Sequence, residues 1–230
     1  MPTPHPHPTA PLPAKPAGPA AESAGPAAEN AGPVAENAGP AAENAGLVAE
    51  HAGLVAAVST DGEHNFSKVP RDEVELVEGF GIVGDTHAGT TVQHLFRMQT
   101  DPEQPNLRQV HLVASEWHDE VREHGYELRP GDIGENVLTT GIDLIRLPAG
   151  TLLRLGADAI VRVTGLRNPC KQIDTFRTGL LRMSVGRDEA GEVVRKVGVM
   201  SVVERGGIVR PGDPIDVVLP DGEHVPLAPV

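Results

Sequence analysis

The sequence predicts a mainly β fold, a closed barrel or closed sandwich with a few short helices spanning residues 53–230, preceded over residues 1–52 by a disordered low-complexity tail. Three observations predict it. Short stretches rich in Val, Leu and Ile recur at fairly even spacing between glycine and proline turns. Only two segments carry helical patterning. Aromatic residues make up 3% of the chain, and Val, Leu and Ile can fill a small barrel without them.

The tail is a repeat. Gly18, Gly25, Gly32, Gly39, Gly46 and Gly53 recur every seven residues, with Glu22, Glu29, Glu36, Glu43 and Glu50 in phase. A coiled coil is excluded, because Gly-Pro opens most repeats and the remaining positions are chiefly alanine, which leaves no large apolar seam. A flexible segment with polyproline II character is expected.

The net charge of −13 argues against nucleic acid or an anionic membrane as partner, so an anionic ligand requires a local basic patch. The single cysteine, Cys170, cannot form an internal disulfide, which fits a reducing compartment. No apolar run is long enough to span a bilayer, and Met1-Pro2-Thr3-Pro4-His5-Pro6-His7-Pro8 is too proline-broken for a signal-peptide core. A soluble, cytoplasmic protein is expected.

In the globular part, Leu54-Val55-Ala56-Ala57-Val58-Ser59 reads as the first strand, Asp61-Gly62 as a turn and Val74-Glu75-Leu76-Val77 as a further strand. Gly79-Phe80-Gly81-Ile82-Val83-Gly84-Asp85-Thr86-His87-Ala88-Gly89 follows, a loop in which backbone approaches something closely. It is no dinucleotide fingerprint, since no helix follows the glycines. Asp85 and His87 are either ligand-contacting or satisfy local backbone groups. Arg108 to Val113 alternates as a strand, after which Ser115 is expected to cap a helix running toward His124, with Trp117 and Val121 on its buried face. His118 and His124 do not share a helix face and read as surface histidines, not a metal site. Pro130-Gly131-Asp132-Ile133-Gly134-Glu135-Asn136 is a second glycine-rich polar loop. Strands are then expected over residues 151–155, 160–164, 196–203 and 215–219, with turns at Gly206-Gly207 and Pro211-Gly212-Asp213-Pro214.

Cys170 lies in Thr164-Gly165-Leu166-Arg167-Asn168-Pro169-Cys170-Lys171-Gln172. Gly165 is expected to end the preceding strand. Asn168 is a good N-cap and Pro169 suits the first helical position, so Cys170 is expected at the second, with Ile173, Phe176, Leu180 and Leu181 on the buried face. A thiol at the positive end of a helix, flanked by Arg167 and Lys171, is expected to be partly exposed and held as the reactive thiolate that attacks, carries sulfur or binds metal. A packed, inert cysteine is the alternative.

Gly84-Asp85-Thr86-His87-Ala88-Gly89, Arg108-Gln109-Val110-His111-Leu112, the loop ending Gly134-Glu135-Asn136, Leu166-Arg167-Asn168-Pro169-Cys170 and Val209-Arg210-Pro211-Gly212-Asp213 together resemble the MOSC domain, named after the C-terminal part of molybdenum cofactor sulfurase. The blocks occur in family order across roughly residues 54–220. The resemblance implies a β-barrel, a molybdenum cofactor (molybdopterin) site, and a functional cysteine at Cys170 that either ligates molybdenum or carries sulfur as a persulfide. It also implies reduction of N-hydroxylated compounds by the small bacterial members, with electrons from a separate donor protein. The alternative is a sulfur-carrier or cofactor-handling module served by a sulfur donor such as a cysteine desulfurase. Cofactor contacts implied by the matched motifs fall on Asp85, His87, Arg108, His111, Asn136, Arg167 and Asn168, with the neighbouring Lys171 and Arg210 further candidate cations. Backbone N–H groups of the two loops and these cations are what an acidic protein needs to hold an anionic pterin. The chain is not expected to carry the pyridoxal phosphate-binding lyase domain associated with the sulfurases, nor an iron-sulfur module.

Overall fold

The computed structural model describes residues 52–93 and 98–230. Of the low-complexity segment only Ala52 falls among them, so the expectation made for the tail lies outside the described residues.

The barrel is built from seven strands: β1 (Gly53–Thr60), β5 (Val110–Ala114), β6 (Val137–Thr140), β7 (Leu152–Leu155), β8 (Ala159–Leu166), β11 (Val199–Arg205) and β13 (Pro214–Val218). Their order is β13-β7-β8-β11-β5-β6-β1, and pairing of β13 with β1 closes the ring. Every neighbouring pair is antiparallel except β5 with β6. β2 (Val69–Arg71) extends the sheet beyond β1. A three-stranded sheet of β3 (Val74–Val77), β4 (Gly81–Ile82) and β12 (Gly207–Val209) adds Val74, Leu76, Ile82 and Val209 to the barrel core.

Alternation along the strands sorts the side chains onto two faces. Leu112 and Val137 point into the barrel with Val55, Leu153, Val161, Val199 and Ile215. Their neighbours Val113 and Leu138 point outward into a second apolar cluster. That cluster joins Trp117 and Val121 of helix α1 (Ser115–Glu123) to Ile173 and Leu180 of helices α2 (Lys171–Phe176) and α3 (Leu180–Met183). The outer cluster thus fixes α2 against the barrel wall.

The structure corrects several local expectations. Ser115 does not cap α1. β5 runs straight into the helix, Ala114 takes the cap position with extended backbone and no side-chain bond, and Ser115 is the first helical residue. His118 is not on the surface but 4% exposed, because its side of α1 packs on the second glycine loop. Strand β8 continues past Gly165 to Leu166, where Leu166 N–H donates to Ala228 O at 2.8 Å and Val230 N–H to Leu166 O at 3.2 Å. The Cys170 helix starts at Lys171, with Cys170 itself at the N-cap in extended conformation (φ −129°, ψ 168°). The one expected helix is two, since Asp174 Oδ1 accepts the N–H of Gly179 at 2.8 Å and closes a turn between them. Ile173 and Leu180 are nevertheless fully buried, and Phe176 and Leu181 pack partly buried against the same cluster. A hairpin of β9 (Val185–Arg187) and β10 (Val193–Arg195) was not legible from residue pattern.

Candidate functional site

A cavity of about 370 Å³ opens at one end of the barrel, where the exit of β8, the starts of β5 and β6 and the loops following β1 and β4 converge. Its lining holds the cations Lys68, Arg108 and Arg167 and the imidazoles of His64, His87 and His111, and among the described residues no aspartate or glutamate. In a chain with a net charge of −13 this is the local basic patch that an anionic ligand requires.

Asp85 lies beneath the lining and ties three loops together. One carboxylate oxygen, Oδ2, accepts from Lys68 Nζ at 2.6 Å and from Asn136 Nδ2 at 2.8 Å. The other, Oδ1, accepts the backbone N–H of His87 at 2.9 Å, with His87 Nδ1 at 3.3 Å. Burial alone would push the Asp85 carboxyl up, but His87 and the Lys68 ammonium outweigh it and hold it well below the usual carboxylate range. Burial lowers Lys68 from its ordinary value against the pull of Asp85. Asp85 therefore satisfies local backbone, one of the two readings the sequence left open, and it also fixes cavity-lining side chains from outside the lining.

Asn136 is the second junction. Its amide donates to Ser59 O at 3.2 Å as well as to Asp85, and its Oδ1 accepts the N–H of His111 at 3.1 Å. His111 Nε2–H donates to Val197 O at 2.8 Å. Burial and then the neighbouring Arg167 hold the His111 imidazole well below its ordinary value, so it stands neutral in the wall.

The loop over residues 130–136 packs directly on the backbone before β2. Lys68 N–H donates to Gly131 O at 2.8 Å. Gly134 sits at φ +86°, and a Cβ there would lie 2.7 Å from Phe66 O, so only glycine admits this approach. Glu135 is fully buried and turns back on its own loop: Oε1 accepts Gly131 N–H at 2.7 Å and Oε2 accepts Ile133 N–H at 3.3 Å. Burial pushes its carboxyl up to about 7 despite those donors. His118 Nε2 is 3.8 Å from Glu135 Oε1, and burial drives that imidazole down to about 4.

Arg167 follows β8 immediately. Its Nη2 donates to Ile133 O at 3.4 Å, while Nη1 is buried and has no hydrogen-bond partner among the described residues. Burial lowers its pKa, and the charges of Cys170 and Glu135 oppose that loss. An orphaned buried guanidinium N–H costs on the order of 1–3 kcal/mol, more for a charged group, unless a ligand accepts from it. Cys170 stands at the rim with an exposed side chain, its Sγ–H directed at Gln172 Oε1 at 3.4 Å. Exposure removes the alternative of a packed, inert cysteine.

Of the residues singled out from sequence, His87, Arg108, His111, Asn136, Arg167, Asn168 and Cys170 line one cavity, and Asp85 supports it from below. Lys171 is exposed and outside the lining, and Arg210 pairs with Glu73 at 2.5 Å away from it. Asn168 does not cap the helix; its Oδ1 accepts from Arg195 Nε at 3.2 Å. Sequence reasoning missed Lys68, His64, Gln172 and Asn106, whose amide donates to His87 O at 2.8 Å and Gly89 O at 3.1 Å. None of these carries a local pattern that marks it.

Comparison with known proteins agrees with this architecture. No curated protein matches the chain. Among solved structures the chain is similar to the YuaD protein from Bacillus subtilis, with a TM-score of 0.60 and 24% identity over 72% of this chain and 94% of that one. It is also similar to YiiM from Geobacillus stearothermophilus, with a TM-score of 0.50 and 17% identity over 72% of this chain and 75% of that one. These likenesses speak for the fold. The profile of the MOSC domain matches residues 87–216, which take in the cavity residues from His87 to Met200 and Cys170 itself. The chain therefore belongs to the MOSC domain family.

Proposed function

We propose that the cavity binds the molybdenum cofactor, with Cys170 as the protein ligand to molybdenum, in a reductase of N-hydroxylated compounds. The observation that carries the reading is the buried, unpartnered Nη1 of Arg167 in a cavity lined by cations and no acids. MOSC domains are associated with this cofactor, and the donor set fits it. Arg167, Arg108 and Lys68 would hold its phosphate-bearing, anionic part, while Asn136 and Asn168 offer amide groups to its polar edges. Among the described residues no group of three or more His, Cys, Asp or Glu side chains is gathered to hold a metal, so a metal here relies on the cofactor's own ligands plus the soft sulfur of Cys170.

When bound, the molybdenum centre supplies a two-electron redox couple. The net reaction breaks the N–O bond of the substrate, takes two electrons from an external donor protein and two protons, and releases water and the reduced nitrogen compound. The chain's own residues bind and orient. The Asp85 cluster fixes His87, Lys68 and Asn136, and neutral His111 closes the wall without adding charge.

A second reading is favoured by one observation. The sulfur of Cys170 is exposed at the rim instead of enclosed, which suits a persulfide handed between proteins, a sulfur-carrier role fed by a cysteine desulfurase. Elemental and pterin analysis separates the two, using protein from a host that makes the cofactor. Stoichiometric molybdenum that disappears in Cys170→Ala supports the ligand role. Metal-free protein with a Cys170-dependent persulfide supports the carrier.

A further inference from the structure

Glu135 is a carboxylate set directly behind the cavity wall, with no lysine or arginine bonded to it among the described residues. Its neighbours Gly134 and Asn136 line the cavity, while its own side chain turns inward and is fully buried. Both oxygens are held by N–H groups of residues 131 and 133, and Ile133 in turn accepts from Arg167. The groups that face it are His118 from α1, Asp132 from its own loop, and Lys68 and Arg167 from the two segments that form the cavity floor. His118 is neutral near pH 7 and offers no counter-charge. Lys68 is already matched by Asp85. The charge of ionised Glu135 therefore falls on Arg167 from behind, alongside that of Cys170 at the rim, while Arg167 lines the cavity with its Nη1 buried and unpartnered among the described residues.

We infer that Glu135 is a positioning residue that couples anion binding in the cavity to uptake of a proton: the loop holds its carboxyl behind Arg167, with Ile133 bonded to both side chains, so that an arriving anion and an ionised Glu135 compete for the same guanidinium. The inference rests on the reading of the cavity as an anion site. Electrostatics gives its sign. A second negative charge placed on Arg167 disfavours the ionised carboxyl, so Glu135 takes up a proton as the ligand binds. Because burial already brings this carboxyl close to neutrality, the exchange occurs at physiological pH. By linkage, the affinity for an anion falls as pH rises through the titration of Glu135.

Sulfate is a suitable probe, since its own charge is constant over the range, and the protein is the full chain. In wild type, affinity for sulfate is expected to fall about tenfold between about pH 6.5 and 8.5, as one linked proton is lost. In Glu135→Gln, which keeps the size and one acceptor but not the charge, most of that fall disappears and binding at the alkaline end is tighter than wild type. His64, His87 and Cys170 also line the cavity, so only the pH dependence lost in the variant is credited to Glu135. Calorimetry in two buffers of different ionisation enthalpy reads the proton directly, and infrared difference spectra of wild type alone should gain a protonated-carboxyl band on adding sulfate. That second measurement decides the matter even if Glu135→Gln folds poorly. Sulfate binding with no proton uptake and no carboxyl band would overturn the inference while leaving the anion site standing. No binding of sulfate by wild type at any pH would overturn both.

Discussion

Lys68 Nζ and Asp85 Oδ2 lie 2.6 Å apart with 3% and 0% of their side chains exposed, a buried ion pair under the cavity. Asp85 arrives from the loop after β4 and Lys68 from the segment before β2, so the pair joins two loops that share no strand pairing. Removing one partner leaves the other charge buried and uncompensated. Asp85→Ala is expected to cost about 3–5 kcal/mol in denaturant unfolding, and Lys68→Met with Asp85→Leu together less than Asp85→Ala alone. If the double variant is the less stable protein, the pair is a net source of stability and the argument from desolvation fails. The folded Asp85 carboxyl is held below its unfolded value, so its contribution is present above about pH 4 and is lost as pH falls further.

Glu135 and His118 tilt stability with pH in opposite directions. Glu135 rises from 4.5 to about 7 on folding, so the folded state gains a proton there, and stability present below about pH 4.5 is lost as pH climbs to about 7. His118 falls from 6.5 to about 4, so stability present above about pH 6.5 is lost as pH drops toward 4. In wild type the two slopes largely cancel between about pH 4.5 and 6.5. Glu135→Gln should unmask a loss toward acid and His118→Gln a loss toward neutral pH, each about 1.4 kcal/mol per pH unit over that window. Chemical denaturation of the two variants across the range checks this, and slopes of the same sign would contradict it.

Arg167 buries a charged group that lacks a partner on Nη1. Arg167→Met keeps the stem and removes the desolvated charge, so unfolding stability is expected to be unchanged or to rise by about 1 kcal/mol, while affinity for anionic ligands drops at least tenfold. Arg167→Lys should not restore binding, because an ammonium cannot present the planar fork. Thermal melts and anion titrations of both variants separate the two effects. A large loss of stability in Arg167→Met would show that the guanidinium holds the fold and not a ligand.

The barrel was legible in the sequence because period-two alternation and glycine turns are local signals, and six of its seven strands carry their own, β6 being the exception. His87, Arg108, His111, Asn136, Arg167 and Cys170 were legible as a set through the motifs that contain them. What was not legible depends on partners distant in sequence. Lys68 reads as an ordinary loop lysine until Asp85, seventeen residues on, closes over it. His118 reads as a surface histidine until residues 130–136 pack on α1. Asn168 has the chemistry of an N-cap, yet β10 offers it Arg195, and with that side chain engaged the helix starts later, leaving Cys170 at the cap. Lys171 was named for its closeness in sequence to Cys170, but it sits on the exposed face of α2.

Cys170 should separate stability from function more cleanly than any other residue of the site. Its side chain is exposed, its backbone is extended, and among the described residues its sulfur hydrogen-bonds only Gln172, at the long distance of 3.4 Å. Serine is itself a preferred N-cap and accepts this backbone conformation, so Cys170→Ser is expected to change unfolding free energy by no more than about 0.5 kcal/mol, and in the stabilising direction if the hydroxyl bonds an N–H of α2. The same variant is expected to lose protein-bound molybdenum, because an alkoxide is a poor substitute for a soft thiolate toward that metal. Melting temperature and elemental analysis on one preparation give both readouts. A variant that melts with wild type but carries no molybdenum places Cys170 on the metal. Full retention of molybdenum with an unchanged melt would leave the thiol free to act as a sulfur carrier, with the cofactor held by Arg167, Arg108 and Lys68 alone.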